Sequence, residues 1–210
     1  MFMIDFQHWT ETWRALGAKG DPRPWHRRLV DAYNEKHRHY HSEQHLEECL
    51  CELHDNRDLV QRPHVVAAAL WFHDAVYDSR SSTNETDSAT LAADCLTAAK
   101  VSATTIETVR RLILSTRTHE PAEAPDAELL LDIDLAIFGK PPARFEIYER
   151  NIRAEYAWVP HLEYAVKRSE ILERFLSRPT IFLTESMREN YETAARANLR
   201  HVITRLRSPV

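Results

Sequence analysis

Residues 65–74 place the severest constraint on the fold. Val65-Val66-Ala67-Ala68-Ala69-Leu70-Trp71-Phe72 is apolar on every side and ends in the doublet His73-Asp74. A surface helix keeps a polar face toward water, so this run predicts a helix in the middle of a bundle. Pro63 fits its first turn, where the missing N–H removes no helical hydrogen bond. An imidazole and a carboxylate at the inner end of such a helix must be paired or must share a cation, because an uncompensated buried charge is too costly to persist. A metal ion at the C-terminal end of the helix would satisfy both side chains.

The remainder of the chain reads as helical too. Only three glycines occur, Gly17, Gly20 and Gly139. The clustered glycines that bring backbone to phosphate in a P-loop or dinucleotide fold are therefore absent. Ala, Leu, Glu and Arg are abundant and alternating β-branched runs are few. The 210 residues suit one ordinary domain, and 43% hydrophobic content supports a substantial core. A net charge of −5 argues against a broad nucleic-acid-binding face, a helix-turn-helix DNA binder included.

Cys49, Cys51 and Cys95 form no C-x-x-C pair and leave one unmatched, which suits a reducing compartment. A helical C-x-C pair points its sulfurs to different sides, so Cys49 and Cys51 read as small buried or half-buried side chains rather than thiolate ligands. No run of 18 apolar residues exists, and Met1-Phe2-Met3-Ile4-Asp5 lacks a basic start and a long apolar stretch. The expectation is a soluble cytoplasmic protein with no membrane association.

Caps mark the helix starts. Ser42 precedes Glu43-Gln44-His45-Leu46-Glu47-Glu48, with acids in the first turn. Ser82-Thr83-Asn84-Glu85 reads as a capping box opening a helix to about Ala99. Ser102 or Thr104 starts another, and Asp126 caps a segment through Ile137 that Gly139 and Pro141 stop. Pro142 restarts a helix to roughly Trp158, and two more follow over about 161–177 and 185–206. The reading is one all-α domain over residues 1–210 with about eight helices, its core motifs within 25–140 and helices 142–206 packing on them. Loops are expected at 80–83 and 120–124.

Histidines number 12 and crowd at His37, His39, His41 and His45. With Ser42 as N-cap, His41 falls in the turn and His45 in the first helical turn. His45 then reaches inward while His41 orients it or faces a ligand. Leu131-Asp132-Ile133-Asp134-Leu135 puts two acids in an apolar setting, and acids two apart on a helix point different ways, so one of them faces the core. His45, His73, Asp74 and one of Asp132 or Asp134 would make a mixed nitrogen and oxygen set. Such a set suits Mn, Fe, Co, Ni or Zn and leaves positions open for water and substrate.

The ordered elements Arg38-His39-Tyr40-His41-Ser42-x-x-His45, Trp71-Phe72-His73-Asp74-Ala75-Val76-Tyr77-Asp78 and Asp132-Ile133-Asp134-Leu135-Ala136 resemble the HD superfamily of metal-dependent phosphohydrolases. They look most like a bacterial branch of predicted phosphohydrolases, together with Ile152-Arg153-x-Glu155-Tyr156, Ile171-Leu172-x-x-Phe175-Leu176 and Ala195-Arg196-x-Asn198-Leu199. The resemblance spans most of residues 25–200. It implies an HD-type, phosphodiesterase-like all-α fold, one divalent metal, and hydrolysis of a phosphate ester or anhydride of a small molecule, often a nucleotide. It carries the ligand positions to His45, His73, Asp74 and Asp134, with Asp134 preferred to Asp132.

Within that chemistry Asp74 also accepts a proton from water, and His41, His119 or Glu85 would protonate the leaving group. Each has a structural reading beside the chemical one: Glu85 as part of the capping box, His119 as a cation at a helix C-terminus. Asp78 is placed to accept from His45 or His41. Arg38, Tyr40, Arg80, Arg117, Lys167 and Arg168 are the candidates to meet a phosphorylated ligand. The rival readings are a non-catalytic nucleotide-binding regulatory module and a two-iron oxygenase, the latter needing additional ligands. A homodimer remains open as an assembly.

Overall fold

The computed structural model describes residues 4–120 and 124–208, so most of the loop expected at 120–124 lies outside the described residues. Ten α-helices follow in order: α1 Phe6–Ala15, α2 Arg23–Tyr33, α3 Glu43–Asp55, α4 Pro63–Phe72, α5 Asn84–Ala98, α6 Ala103–Ser115, α7 Pro125–Leu135, α8 Pro142–Glu155, α9 His161–Leu176 and α10 Glu185–Arg207. Short 3-10 turns occupy Arg57–Leu59 and Ala136–Gly139. No strand occurs among the described residues, so the chain is all-α as its composition predicts. The expectation of about eight helices is corrected to ten; the additional two are α1 and α2. Asp5 caps α1 by accepting from the His8 amide at 2.8 Å, and Trp9 and Trp13, one turn apart, are its buried face. In α2, Pro24 sits in the first turn while Leu29 and Tyr33 are buried.

Contacts divide the chain into two compact units, Met1–Ile133 and Asp134–Val210. The division falls inside α7, all but two residues of which belong to the first unit, and α7 is described with that unit.

At the heart of the first unit lies α4, with every residue from Val65 to Phe72 buried. Helices α1, α3, α5 and α6 pack around it. Trp9 sets its ring 5.3 Å from Trp71 and 6.1 Å from Phe72, in edge-on geometry. Asp126 does not cap α7; it lies in that helix's first turn and accepts from the Gln61 amide at 2.7 Å and from Arg62 Nε at 3.0 Å. It thus ties α7 to the start of α4.

The capping box at Ser82 is likewise corrected. Asn84 accepts from the Asp78 amide at 3.0 Å and donates to the Asp78 carbonyl at 2.9 Å, which closes the preceding turn and delays the helix. Thr83 becomes the N-cap, and its hydroxyl donates to Asp87 at 2.8 Å rather than accepting from backbone. Ser102 caps α6 as the sequence suggests, accepting from the Thr105 amide at 3.2 Å.

In the second unit the 3-10 turn at Ala136–Gly139 packs against α10. A Cβ at Gly139 would fall 2.5 Å from Tyr191 Cβ, so only glycine permits this approach. Asn198 donates to the carbonyls of Phe138 at 2.8 Å and Lys140 at 2.9 Å. The Arg196 guanidinium donates to the carbonyls of Leu176, Arg178 and Pro179 and fixes the segment between α9 and α10. Arg153 donates to Tyr156 and Val159 carbonyls, which stops α8 at Glu155 instead of Trp158. The downstream motif residues therefore hold backbone together.

Candidate metal centre

Two helix ends build the centre. His45 lies in the first turn of α3, and His73 is the C-cap of α4. Ser42 occupies the N-cap position of α3 in extended backbone, although its hydroxyl donates to the Tyr40 carbonyl at 3.3 Å instead of accepting from the helix.

The last carbonyls of a helix lack helical partners, and those of a buried helix must find others. His73 Nδ1 donates to the Leu70 carbonyl at 2.8 Å. The Tyr33 hydroxyl, whose pKa burial pushes up to about 12, lies 3.5 and 3.4 Å from the carbonyls of Leu70 and Trp71. Arg38 serves the following turn: its guanidinium donates to the carbonyls of Asp74 at 2.5 Å, His41 at 3.2 Å and Ala75 at 3.2 Å. Its Nε donates to Glu35 at 2.9 Å.

These bonds decide the chemistry of His73. With Nδ1 carrying the proton, Nε2 presents a lone pair to the interior. That Nε2 lies 3.1 Å from His45 Nε2 and 3.0 Å from Asp74 Oδ2, and His45 Nε2 lies 3.5 Å from the same oxygen. Two ring nitrogens and a carboxylate oxygen repel one another at such distances unless a proton or a cation sits among them. Donors each about 2.1 Å from one ion stand about 3.0 Å apart at a right angle and about 3.4 Å apart at the tetrahedral angle. The three separations match those edges.

A second, overlapping set joins the same imidazoles to Cys49 and Asp134. One ligand atom from each of His45, Cys49, His73 and Asp134 lies within 4.8 Å of all the others. This group could hold a metal ion, and its donors fit a divalent transition ion better than calcium, which prefers an all-oxygen shell. His45, Cys49 and His73 are buried and Asp134 half-buried. Asp132, the alternative, is wholly buried and is not in the set. The rule that one acid of the pair faces the interior is thus too simple, because α7 is covered on more than one side.

Burial alone would raise the Asp74 carboxyl pKa. Without an ion a proton takes its place among these atoms, and the facing His73 and His41, with hydrogen bonds from His45 and His73, then hold the carboxyl well below the usual carboxylate range. Tyr40 is buried, its ring 4.7 Å from that of His45 and 5.0 Å from that of His41. His41 is half-buried and stacks on Tyr77 at 4.1 Å.

The remaining candidates stand as follows. Arg38 is 6% exposed with its donors committed to three carbonyls and to Glu35, so it positions Asp74 and is a poor partner for phosphate. Glu85 is half-buried in the first turn of α5. His119 is half-buried past α6 with φ at 50°, a left-handed conformation that closes the helix. Arg80 and Arg117 are exposed. Lys167 is exposed on α9, paired with Glu170 at 3.2 Å. Arg168 is buried, bonded to Glu149 and to Tyr148 at 2.7 Å, which removes it from ligand binding. Asp78 is exposed and accepts from the Arg80 amide at 2.9 Å, so it closes a turn rather than orienting His45 or His41. Sequence reasoning considered Cys49 only as a pair with Cys51 and set it aside as a ligand. Its i,i+4 spacing from His45 places the two on one face of α3 and would have found it.

No helix among the described residues is long and apolar enough to cross a membrane. No family model, curated protein or solved structure matches the chain.

Proposed function

We propose that this chain is a metal-dependent phosphohydrolase of the HD type, acting on a phosphate ester or anhydride of a small molecule such as a nucleotide. The observation that carries the metal-dependent part is the convergence of His45 Nε2, His73 Nε2 and Asp74 Oδ2 at 3.0–3.5 Å, with the His73 tautomer fixed by Leu70. The motif resemblance narrows that chemistry to phosphate.

His45, His73, Asp74 and Asp134 are the residues that would hold the ion. A divalent Mn, Fe, Co, Ni or Zn there supplies a water acidified toward neutrality and a Lewis acid for the phosphoryl oxygen. The protein's part is placement and proton movement. Arg38 holds the Asp74 backbone from behind while one carboxylate oxygen lies on the imidazoles, and the other oxygen would accept the attacking water's proton. His41, held on Tyr77 beside His45, is the group to protonate the leaving oxygen, with Glu85 and His119 as the other acids. Of the arginine candidates, Arg80 and Arg117 are exposed.

The test replaces His73 and Asp74 with Ala and assays a general phosphoesterase substrate with Mn or Co. Loss of about a hundredfold or more in turnover is expected. Undiminished turnover in a folded double variant overturns the hydrolase reading. A wild type that is stabilised by nucleotides and returns them unaltered would favour a regulatory module instead.

A further inference from the structure

We propose that Cys49 is a thiolate ligand of this centre, so that the site selects an ion that accepts sulfur, Zn, Co or Fe, over Mn. This inference rests on the metal-centre reading above and deepens it. Helix α3 carries His45 and Cys49 one turn apart, and both are buried, at 2% and 1% exposure. Cys49 Sγ lies 3.7 Å from His45 Nδ1 and 3.8 Å from its Nε2, and within the 4.8 Å group that includes His73 and Asp134.

A sulfur about 2.3 Å and a nitrogen about 2.1 Å from one tetrahedral ion stand about 3.6 Å apart. The observed separation is within a few tenths of an ångström of that edge; because the sulfur lies equally close to Nδ1, sharing an ion held by Nε2 asks for a rotation of the Cys49 or His45 side chain. The other two cysteines make the contrast. Cys51, two residues on, points its sulfur toward Glu47 at 3.9 Å, and Cys95 is wholly buried with its thiol pKa pushed up by burial. Among the described residues neither belongs to a ligand group.

When the sulfur–metal bond forms, the thiol proton leaves to solvent and no electron is transferred. A thiolate with two imidazoles suits Zn, Co or Fe, whereas Mn favours carboxylate, carbonyl and water oxygens. Sequence alone, with its carboxylates and histidines, leaves that choice open.

Cobalt(II) titrated into the metal-stripped full chain tests this by absorption. The expected spectrum has visible d–d bands together with a near-ultraviolet sulfur-to-cobalt charge-transfer band. Cys49→Ser is expected to keep the visible bands, lose the near-ultraviolet band, and bind Zn at least about tenfold more weakly while its Mn affinity changes little. Visible bands without the charge-transfer band in the wild type overturn the thiolate assignment and leave the centre standing. No cobalt uptake at all overturns the metal-centre reading itself. The wild-type spectrum decides the matter even where the serine variant fails to fold.

Discussion

Replacing Arg38 with Met tests whether this residue builds the site from behind. The side chain is buried to 1% exposure, and three backbone carbonyls, those of His41, Asp74 and Ala75, accept from its guanidinium. A hydrogen bond to a charged group contributes about 1.5–3 kcal/mol net, and each buried carbonyl left without a donor costs about 1–3 kcal/mol. Desolvation of the guanidinium offsets part of this, so Arg38→Met should lose about 3–5 kcal/mol of unfolding free energy. Arg38→Lys should recover less than half, because a single ammonium cannot reproduce the planar fork. Urea unfolding followed by circular dichroism reads the loss, and isothermal titration with Zn reads the accompanying drop in affinity as the Asp74 backbone relaxes. If Arg38→Met unfolds within about 0.5 kcal/mol of wild type and binds Zn equally well, the positioning argument is wrong.

Two further outcomes are expected. Gly139→Ala should destabilise the second unit by about 1–3 kcal/mol, since the new methyl meets Tyr191 Cβ at 2.5 Å and its Cα at 2.9 Å; thermal unfolding unchanged from wild type would contradict it. The depressed Asp74 pKa means that, in the acid range, the unfolded chain binds a proton there before the folded one does. The stability contributed by its histidine partners is therefore complete above the ordinary carboxylate range and is lost as pH falls through it toward the folded value. Acid titration of the metal-free protein should show this loss in wild type and a shallower one in Asp74→Asn, and identical profiles would refute the assignment.

Most of the fold was legible because its signals are local. The all-apolar run of α4 predicted burial on every side, and Ser42 and Ser102 marked the starts of α3 and α6. Helices α1 and α2 escaped because their buried faces are interrupted stripes of Trp, Thr, Leu and Tyr rather than apolar runs, although Asp5 and the Trp9–Trp13 spacing were there to be read. The site was harder for a different reason. No spacing within α3 or α4 says that His45 and His73 meet; residue type grouped them as ligands, and the resemblance added the order in which they occur.

Local rules also misassigned Arg38. A basic residue among histidines reads as an anion binder, whereas the carbonyls beyond a buried helix end create a demand for donors that the pattern alone does not display. Cys49 was weighed against Cys51 when its informative partner was His45. The acids of α7 were judged by the faces they occupy; Asp132 is wholly buried and Asp134 half-buried.

Because α4 has no face that water would tolerate, it has no independent existence outside the completed first unit. His73 therefore reaches His45 only after α1, α3, α5 and α6 have closed around the helix that carries it. In small zinc domains the ion organises the chain; here the chain organises the ligands first, and an ion would enter a receptacle already made. Its affinity is then set by how well that receptacle fits, with little of the binding energy consumed in ordering the polypeptide.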